Sequence, residues 1–226
     1  MTDLLVREKQ AAALAAVALV ESGSVVGLGS GSTAALAIQE IGSRVRSGVL
    51  SDIVGVPTSN AAHRLALEYG IPIADIERHS VIDITIDGAD EVDPVRRVLK
   101  GAGGALLREK IVASRSRRWV IIGDSTKLVD RMGTRYPVPI EVVKFGWSAH
   151  AEALREMGAD PVLRAGGAES PYVTDEGHYI IDARFPHGID DPDDLARAMR
   201  SRPGVVETGL FLGFHPEVII GRAPVE

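Results

Sequence analysis

Apolar and polar positions in this chain fall into two kinds of stretch that take turns. Short, largely apolar runs stand at Val25–Leu28, Ile53–Val56, Ile71–Ile73, Val81–Ile86 and Trp119–Ile122. Between them lie longer stretches with apolar residues every three or four positions, at Thr33–Val45, Ser59–Tyr69 and 105–114. The first kind predicts strands buried on both faces, and the second predicts amphipathic helices. Ala11–Val20 (AAALAAVALV) is too short to span a bilayer. With Asp3 and Glu8 ahead of it and no clear small-residue cleavage site after it, it reads as the buried part of a first helix rather than a secretory leader. That helix is expected to be capped by Thr2 or Asp3 and stopped at Gly23. Buried strands separated by amphipathic helices signal a parallel sheet covered on both faces, so the first part of the chain is expected to be a Rossmann-like, doubly wound α/β domain.

Beyond Asp130 the order changes. A strand at Val138–Val143 leads to a helix at Ser148–Met157 and a strand at Pro161–Arg164. A hairpin of Tyr172–Thr174 and Tyr179–Ala183 is predicted to turn at Asp175-Glu176-Gly177. A helix at Pro192–Arg200 and a strand at Val205–Phe211 follow. This is the β-α-β-β-α-β order of a smaller ferredoxin-like α+β domain. Glu217–Gly221 is one more strand, expected to return to the first domain. The domains are therefore expected at 1–130, joined by about 212–226, and at 131–211.

Composition narrows the function. The 226 residues suffice for a sizeable core. The net charge of −6 argues against a nucleic-acid or anionic-membrane surface. The chain has no cysteine, which removes disulfides, thiol nucleophiles and Cys-based metal sites and fits a reducing, cytoplasmic setting. None of the six histidines shows His-x-His or His-Glu-x-x-His spacing, and Asp87–Asp93 lacks the EF-hand pattern, so no metal is expected.

The stretch Asp87–Lys110 (DGADEVDPVRRVLKGAGGALLREK) holds the densest candidate chemistry. Asp87, Gly88, Ala89 and Asp90 should sit where the Val81–Ile86 strand ends, the edge at which open α/β sheets place ligands. Lys100-Gly101-Ala102-Gly103-Gly104 is a turn without bulky side chains, so its N–H groups can approach a ligand closely. Glu109 follows in the next helix. Carboxylates, an ammonium and N–H donors at a helix start can move a proton beside a developing oxyanion. The plainer alternative is that these acids cap a helix or face water.

Gly29-Ser30-Gly31-Ser32-Thr33 stands between the first strand and its helix, where converging N–H groups and hydroxyls suit a phosphate. The alternative is a capped turn. Gly29-x-Gly31-x-x-Ala34 also matches a loose dinucleotide pattern, but the next strand ends in Pro57-Thr58-Ser59-Asn60 and not in an acid that could hold a ribose. No Gly-Lys-Ser/Thr follows, so nucleotide hydrolysis is not expected. Lys127, in Gly123-Asp124-Ser125-Thr126-Lys127, is placed to pair with a phosphate, and Lys9 is a weaker candidate of the same kind.

Taken in order, seven segments resemble the type A ribose-5-phosphate isomerase family. They are GSGST at 29–33, DGADE at 87–91, KGAGG at 100–104, REKI at 108–111, DSTK at 124–127, PVPIEV at 137–142 and PGVVETGLF at 203–211. The resemblance implies interconversion of ribose 5-phosphate and ribulose 5-phosphate without metal or cofactor. It implies Glu109 as the general base moving a proton between C2 and C1 through an enediolate, with Asp87 assisting ring opening. Asp90 and Lys100 would then handle hydroxyl protons and developing charge. The N–H groups of Gly101, Ala102 and Gly103 would form an oxyanion hole, and Ser30, Gly31, Ser32, Thr33, Lys127 and Lys9 would hold the phosphate. The family tends to form dimers or tetramers. One departure is Ala102, where the family usually has glycine; its Cβ is compatible with the site only if the residue avoids positive φ. The alternative from another class is a non-catalytic sugar-phosphate-sensing domain, which usually carries a DNA-binding helix-turn-helix. A third, acyl or CoA transfer through a glutamate nucleophile, lacks any signal for a CoA-binding surface.

Overall fold

The computed structural model describes residues 3–167 and 170–222. These group into two compact units. The first comprises the chain up to Ala89, Arg108–Lys127 and the part from Phe214 onward; the second comprises Asp90–Leu107 and Leu128–Gly213.

In the first unit, the strands β1 (Val25–Leu28), β2 (Val54–Pro57) and β3 (Ile82–Gly88) are joined by the helices α2 (Ser32–Arg46) and α3 (Asn60–Glu68). The numbering runs on through two short strands of the second unit, β4 (Glu91–Val92) and β5 (Val98–Leu99). The first unit also holds α1 (Asp3–Val17), most of α4 (Leu106–Ser114), β6 (Ser116–Gly123) and β12 (Glu217–Ile220). Its five-stranded sheet has the order β12-β6-β3-β1-β2, with every pairing parallel. The side-chain period of two divides each strand between two faces. Val26, Leu28, Ile84, Ile86, Val120 and Ile122 meet Ala12, Ala16, Ile38 and Ile41 of α1 and α2 on one face. Val56 and Ile82 meet Val112 of α4 in a separate cluster. The Glu217–Gly221 strand joins this sheet beside β6, as its sequence suggested.

The second unit is built on β7 (Val138–Val142), α5 (Trp147–Glu156), β8 (Asp160–Leu163), β9 (Tyr179–Arg184), α6 (Pro192–Arg200) and β10 (Val205–Thr208). Its antiparallel sheet runs β10-β7-β9-β8, the ferredoxin-like order. Val138, Ile140, Val142, Ile181 and Ala183 pack against Leu154 of α5 and Leu195 and Met199 of α6. Asp191 starts α6 by accepting the Asp194 N–H at 2.9 Å. A second, three-stranded sheet joins β11 (Leu210–Phe211) to β5 and β4.

Several sequence expectations are corrected. The Ile71–Ile73 segment is not a strand: Pro72 offers no N–H, and the segment touches β2 through a single parallel bridge, Gly55 to Ile73. The Tyr172–Thr174 half of the expected hairpin is absent, and β9 pairs instead with β8. The Thr174 hydroxyl is committed to Glu141 at 2.9 Å, and a turn of Thr174–Gly177 replaces the ladder. The single strand expected over Val205–Phe211 breaks at Gly209, where a Cβ would lie 2.3 Å from the Lys100 carbonyl; β11 then leaves for the smaller sheet. The first helix ends at Val17 rather than near Gly23, and of its two expected caps Thr2 lies outside the described residues. The segment Asp90–Leu107, expected in the first domain, groups with the second unit.

Candidate active site

In the first unit, the sheet order makes β1 the strand from which the chain goes first to β2 on one side and later to β3 on the other. Loops diverge at the carboxyl ends of β1 and β3, the crevice where α/β sheets bind ligands. Asp87 lies there, fully buried near the end of β3. Its Oδ1 accepts the Ser30 N–H at 3.0 Å and the Gly88 N–H at 2.8 Å, which ties the loop after β1 to the loop after β3. The Ser30 hydroxyl lies 2.9 Å from Thr58 Oγ1 and 2.7 Å from Ser59 Oγ. Gly31 takes φ of 93° as the residue that starts α2, a conformation open to glycine. The start of α2 thus presents Ser32 and Thr33 at the positive end of a 15-residue helix.

Lys9 of α1 donates to Ser32 Oγ at 3.2 Å and lies 3.7 Å from Asp124 Oδ2. A cation therefore joins the start of α2 to the end of β6. Lys127 follows in the turn Ser125–Lys127, which is held from two sides. Glu8 accepts the Ser125 N–H at 2.9 Å and its hydroxyl at 2.8 Å, and Asp124 accepts the Thr126 N–H at 3.0 Å. Glu109, 4% exposed, occupies the first turn of α4, and Arg108 beside it donates to Asn60 Oδ1 at 3.1 Å. Neither candidate carboxylate is a solvated surface group.

In the second unit, Asp90 and the Lys100–Gly104 turn are brought together. The Asp90 N–H donates to the Leu99 carbonyl at 2.8 Å, and Asp90 Oδ2 accepts the Ala102 N–H at 2.9 Å. Lys100 is 3% exposed, and its Nζ lies 5.9 Å from the Phe211 ring centroid. Positive φ falls on Gly101 (107°) and Gly104 (80°). Ala102 is not among the residues with positive φ, so its Cβ brings no backbone strain. The Ala102 N–H is engaged by Asp90, so of the three donors expected for an oxyanion hole, Gly101 and Gly103 are those with no acceptor among the described residues.

Sequence reasoning missed several residues that build these surroundings. Thr58 and Ser59 complete the hydroxyl network around Ser30. Their one signal was the Pro-Thr-Ser-Asn strand end. Glu91 is fully buried and accepts the N–H groups of Gly133 (2.6 Å), Arg135 (2.6 Å) and Tyr136 (2.8 Å). Arg164 donates to the carbonyls of Gly101 (2.9 Å) and Ala102 (3.2 Å), across 63 and 62 residues of chain. No local pattern announces such a contact. A cavity of about 550 Å³ in the second unit, lined by Val92, Asp93, Leu128, Asp130, Arg131 and Arg135 among others, contains none of the candidate residues. Among the described residues, no group of three or more His, Cys, Asp or Glu side chains is arranged to hold a metal ion.

Comparison with known proteins adds an independent line. The profile of the family described as ribose 5-phosphate isomerase A (phosphoriboisomerase A) matches residues 54–224. Ribose-5-phosphate isomerase A from Thermosynechococcus vestitus is 47% identical over 224 residues, covering 98% of this chain and 94% of the relative. That from Roseiflexus castenholzii is 46% identical over 220 residues, with 97% and 93% covered. Among solved structures, a D-ribose-5-phosphate isomerase in complex with phospho-erythronic acid superposes with a TM-score of 0.93 at 43% identity, covering 98% of this chain and 96% of that one. Ribose 5-phosphate isomerase A from Methanocaldococcus jannaschii gives 0.87 at 38% identity, with 96% and 97% covered.

Proposed function

The chain belongs to the ribose 5-phosphate isomerase A family, and from that premise we propose how its residues interconvert ribose 5-phosphate and ribulose 5-phosphate. It is an isomerase acting on ribose 5-phosphate. Glu109 takes the proton from C2 of the opened sugar and returns it to C1, through an enediolate. A carboxylate suits this role because one group can accept a carbon-bound proton and deliver it to the neighbouring carbon. Asp87 assists ring opening. Asp90 and Lys100 carry the hydroxyl protons and the charge that develops on oxygen. The N–H groups of Gly101 and Gly103 face the oxyanion, each well-aimed donor contributing ~3 kcal/mol. Ser30, Gly31, Ser32 and Thr33, with Lys9 and Lys127, hold the phosphate at the helix start.

The observation that carries this reading is the burial of two carboxylates: Asp87 at the β3 edge, gathering the Ser30 and Gly88 N–H groups, and Glu109 in the first turn of α4. The phospho-erythronic acid held by the solved relative supports it. Its carboxylate is a planar group that carries negative charge on oxygen, and an enediolate is likewise planar with negative charge on oxygen. A sugar-phosphate sensor would need the phosphate cradle but no buried base. The reading uses no metal or cofactor and expects a cytoplasmic homodimer or homotetramer; among the described residues no helix is long and apolar enough to cross a membrane.

The test is conversion of ribose 5-phosphate to ribulose 5-phosphate in EDTA, comparing wild type with Glu109→Gln. The variant is expected to lose about 10²–10⁴-fold in kcat with its fold intact. Wild-type protein that binds ribose 5-phosphate without converting it would favour the sensor. Full activity in Glu109→Gln would move the base elsewhere, to Asp87 first.

A further inference from the structure

We propose that Arg164 is a positioning residue for the oxyanion-binding turn, acting through the carbonyls of Gly101 and Ala102. The proposal rests on the reading of that turn as the place where negative charge develops on the substrate. All the groups involved lie in the second unit.

Arg164 stands just past the end of β8, and its backbone is pinned on both sides. Its N–H donates to the Ile180 carbonyl at 2.8 Å, and its carbonyl accepts the Tyr172 N–H at 2.8 Å. The guanidinium is itself held rigidly. Nε and Nη2 form a two-pronged pair with Asp182, at 2.8 and 2.6 Å, and the Tyr172 ring lies 5.7 Å away. The side chain is only 14% exposed. A planar cation so fixed has one remaining edge, and Nη1 on that edge donates to Gly101 O at 2.9 Å and Ala102 O at 3.2 Å.

A trans peptide points its N–H opposite its carbonyl. The peptide from Gly101 to Ala102 is gripped at both ends, its carbonyl by Arg164 and its N–H by Asp90. The next peptide is gripped only at the Ala102 carbonyl, so its N–H, that of Gly103, is aimed away from the guanidinium. The Gly101 carbonyl also accepts the Gly104 N–H at 3.0 Å, so the first of these peptides stays held without Arg164; the second, between Ala102 and Gly103, is the one that can rotate once the guanidinium is removed. A cation on the carbonyl also polarises the amide, making its N–H a stronger donor, by roughly 10–30% per bond in cooperative chains. Arg164 thereby sets both the direction and the strength of the Gly103 donor, while its charge is balanced by Asp182. Lysine cannot replace it, because a single ammonium cannot hold Asp182 through two prongs and both carbonyls at once.

The experiment is steady-state isomerisation of ribose 5-phosphate by Arg164→Met, Arg164→Lys and Asp182→Asn, with inhibition by inorganic phosphate and thermal unfolding measured alongside. Arg164→Met is expected to lose about 10–100-fold in kcat, less than outright removal of an oxyanion donor. KM and the phosphate inhibition constant should stay within about twofold, since phosphate is held elsewhere. Arg164→Lys and Asp182→Asn should lose less, in that order of charge retained but geometry loosened. Should Arg164→Met fail to fold, the other two carry the test. A folded variant with unchanged kcat, or with kcat and phosphate affinity falling together, overturns the positioning role. Wild type inactive in the same assay overturns the underlying reading instead, so the two failures are distinguishable.

Discussion

Replacing Glu91 by glutamine should destabilise the protein far more than its chemistry-conserving shape suggests. Glu91 is fully buried, and its two oxygens collect three backbone N–H groups: Arg135 and Tyr136 on Oε1, Gly133 on Oε2. It pins the segment 133–136 to β4. Glutamine can offer its carbonyl oxygen to Arg135 and Tyr136, but its NH₂ must then face the Gly133 N–H, donor against donor. One charge-assisted hydrogen bond, worth ~1.5–3 kcal/mol, is lost outright, and the Gly133 N–H is left buried without an acceptor. The two bonds that remain change from charged to neutral and weaken. Together these amount to roughly 3 kcal/mol. At ~2–4 °C per kcal/mol for a chain of this length, Tm should fall by about 6–12 °C. Glu91→Ala loses all three bonds and opens a cavity, so it should cost about 5 kcal/mol, the lower end of total stabilities. The control is Glu217→Gln. That side chain is 48% exposed and pairs with Arg118 at 2.8 Å, so its loss should cost no more than ~1 kcal/mol. Thermal unfolding by circular dichroism reads all three. A Tm for Glu91→Gln within about 2 °C of wild type would refute the argument, since ~1 kcal/mol is less than one charge-assisted bond.

Two further predictions follow from local geometry. An alanine Cβ at Gly29 would lie 2.3 Å from Asp87 Oδ1 and 2.5 Å from its Cα, whereas one at Gly103 meets nothing within 4 Å. Gly29→Ala should therefore lose at least ~1–3 kcal/mol and most activity, while Gly103→Ala should unfold within about 2 °C of wild type; equal Tm losses would sink the distinction. His150 is buried on α5, and burial first, then the nearby Arg202 charge, hold its imidazole below the ordinary value of 6.5. Below pH 6.5 the unfolded chain therefore takes up a proton that the folded chain refuses, so this residue makes stability fall as the pH is lowered, by at most ~1.4 kcal/mol per unit. Urea unfolding of wild type and His150→Leu between pH 5 and 7 should show that slope only in wild type, and identical slopes would contradict it.

Much of the architecture was legible because its cause is periodic. A strand buried on both faces must be apolar nearly throughout, so Val25–Leu28 could be read to the residue. An amphipathic helix with Asp191 and Pro192 at its start announces both ends, and Pro192–Arg200 was likewise read in full. The failures came where periodicity was present but a partner was lacking or misassigned. Ile71–Ile73 looks like a strand, yet Pro72 cannot complete a ladder. Tyr172–Thr174 looks like one too, yet Thr174 turns its hydroxyl to Glu141. The candidate site was legible as residue types: acids after a strand, a lysine before a glycine turn, hydroxyls at a helix start.

The sequence by itself determined the fold class, the position of the candidate chemistry at strand ends, and the family, because each depends on local pattern or on ordered short segments. Only the tertiary structure decided which donors of the Gly101–Gly103 turn are engaged, that Ala102 avoids positive φ, and that Arg164 grips two of its carbonyls. Those facts depend on pairs of groups dozens of residues apart in sequence. A hydrogen bond at 2.9 Å is a property of where two chain segments meet in space, and no spacing along the chain encodes it.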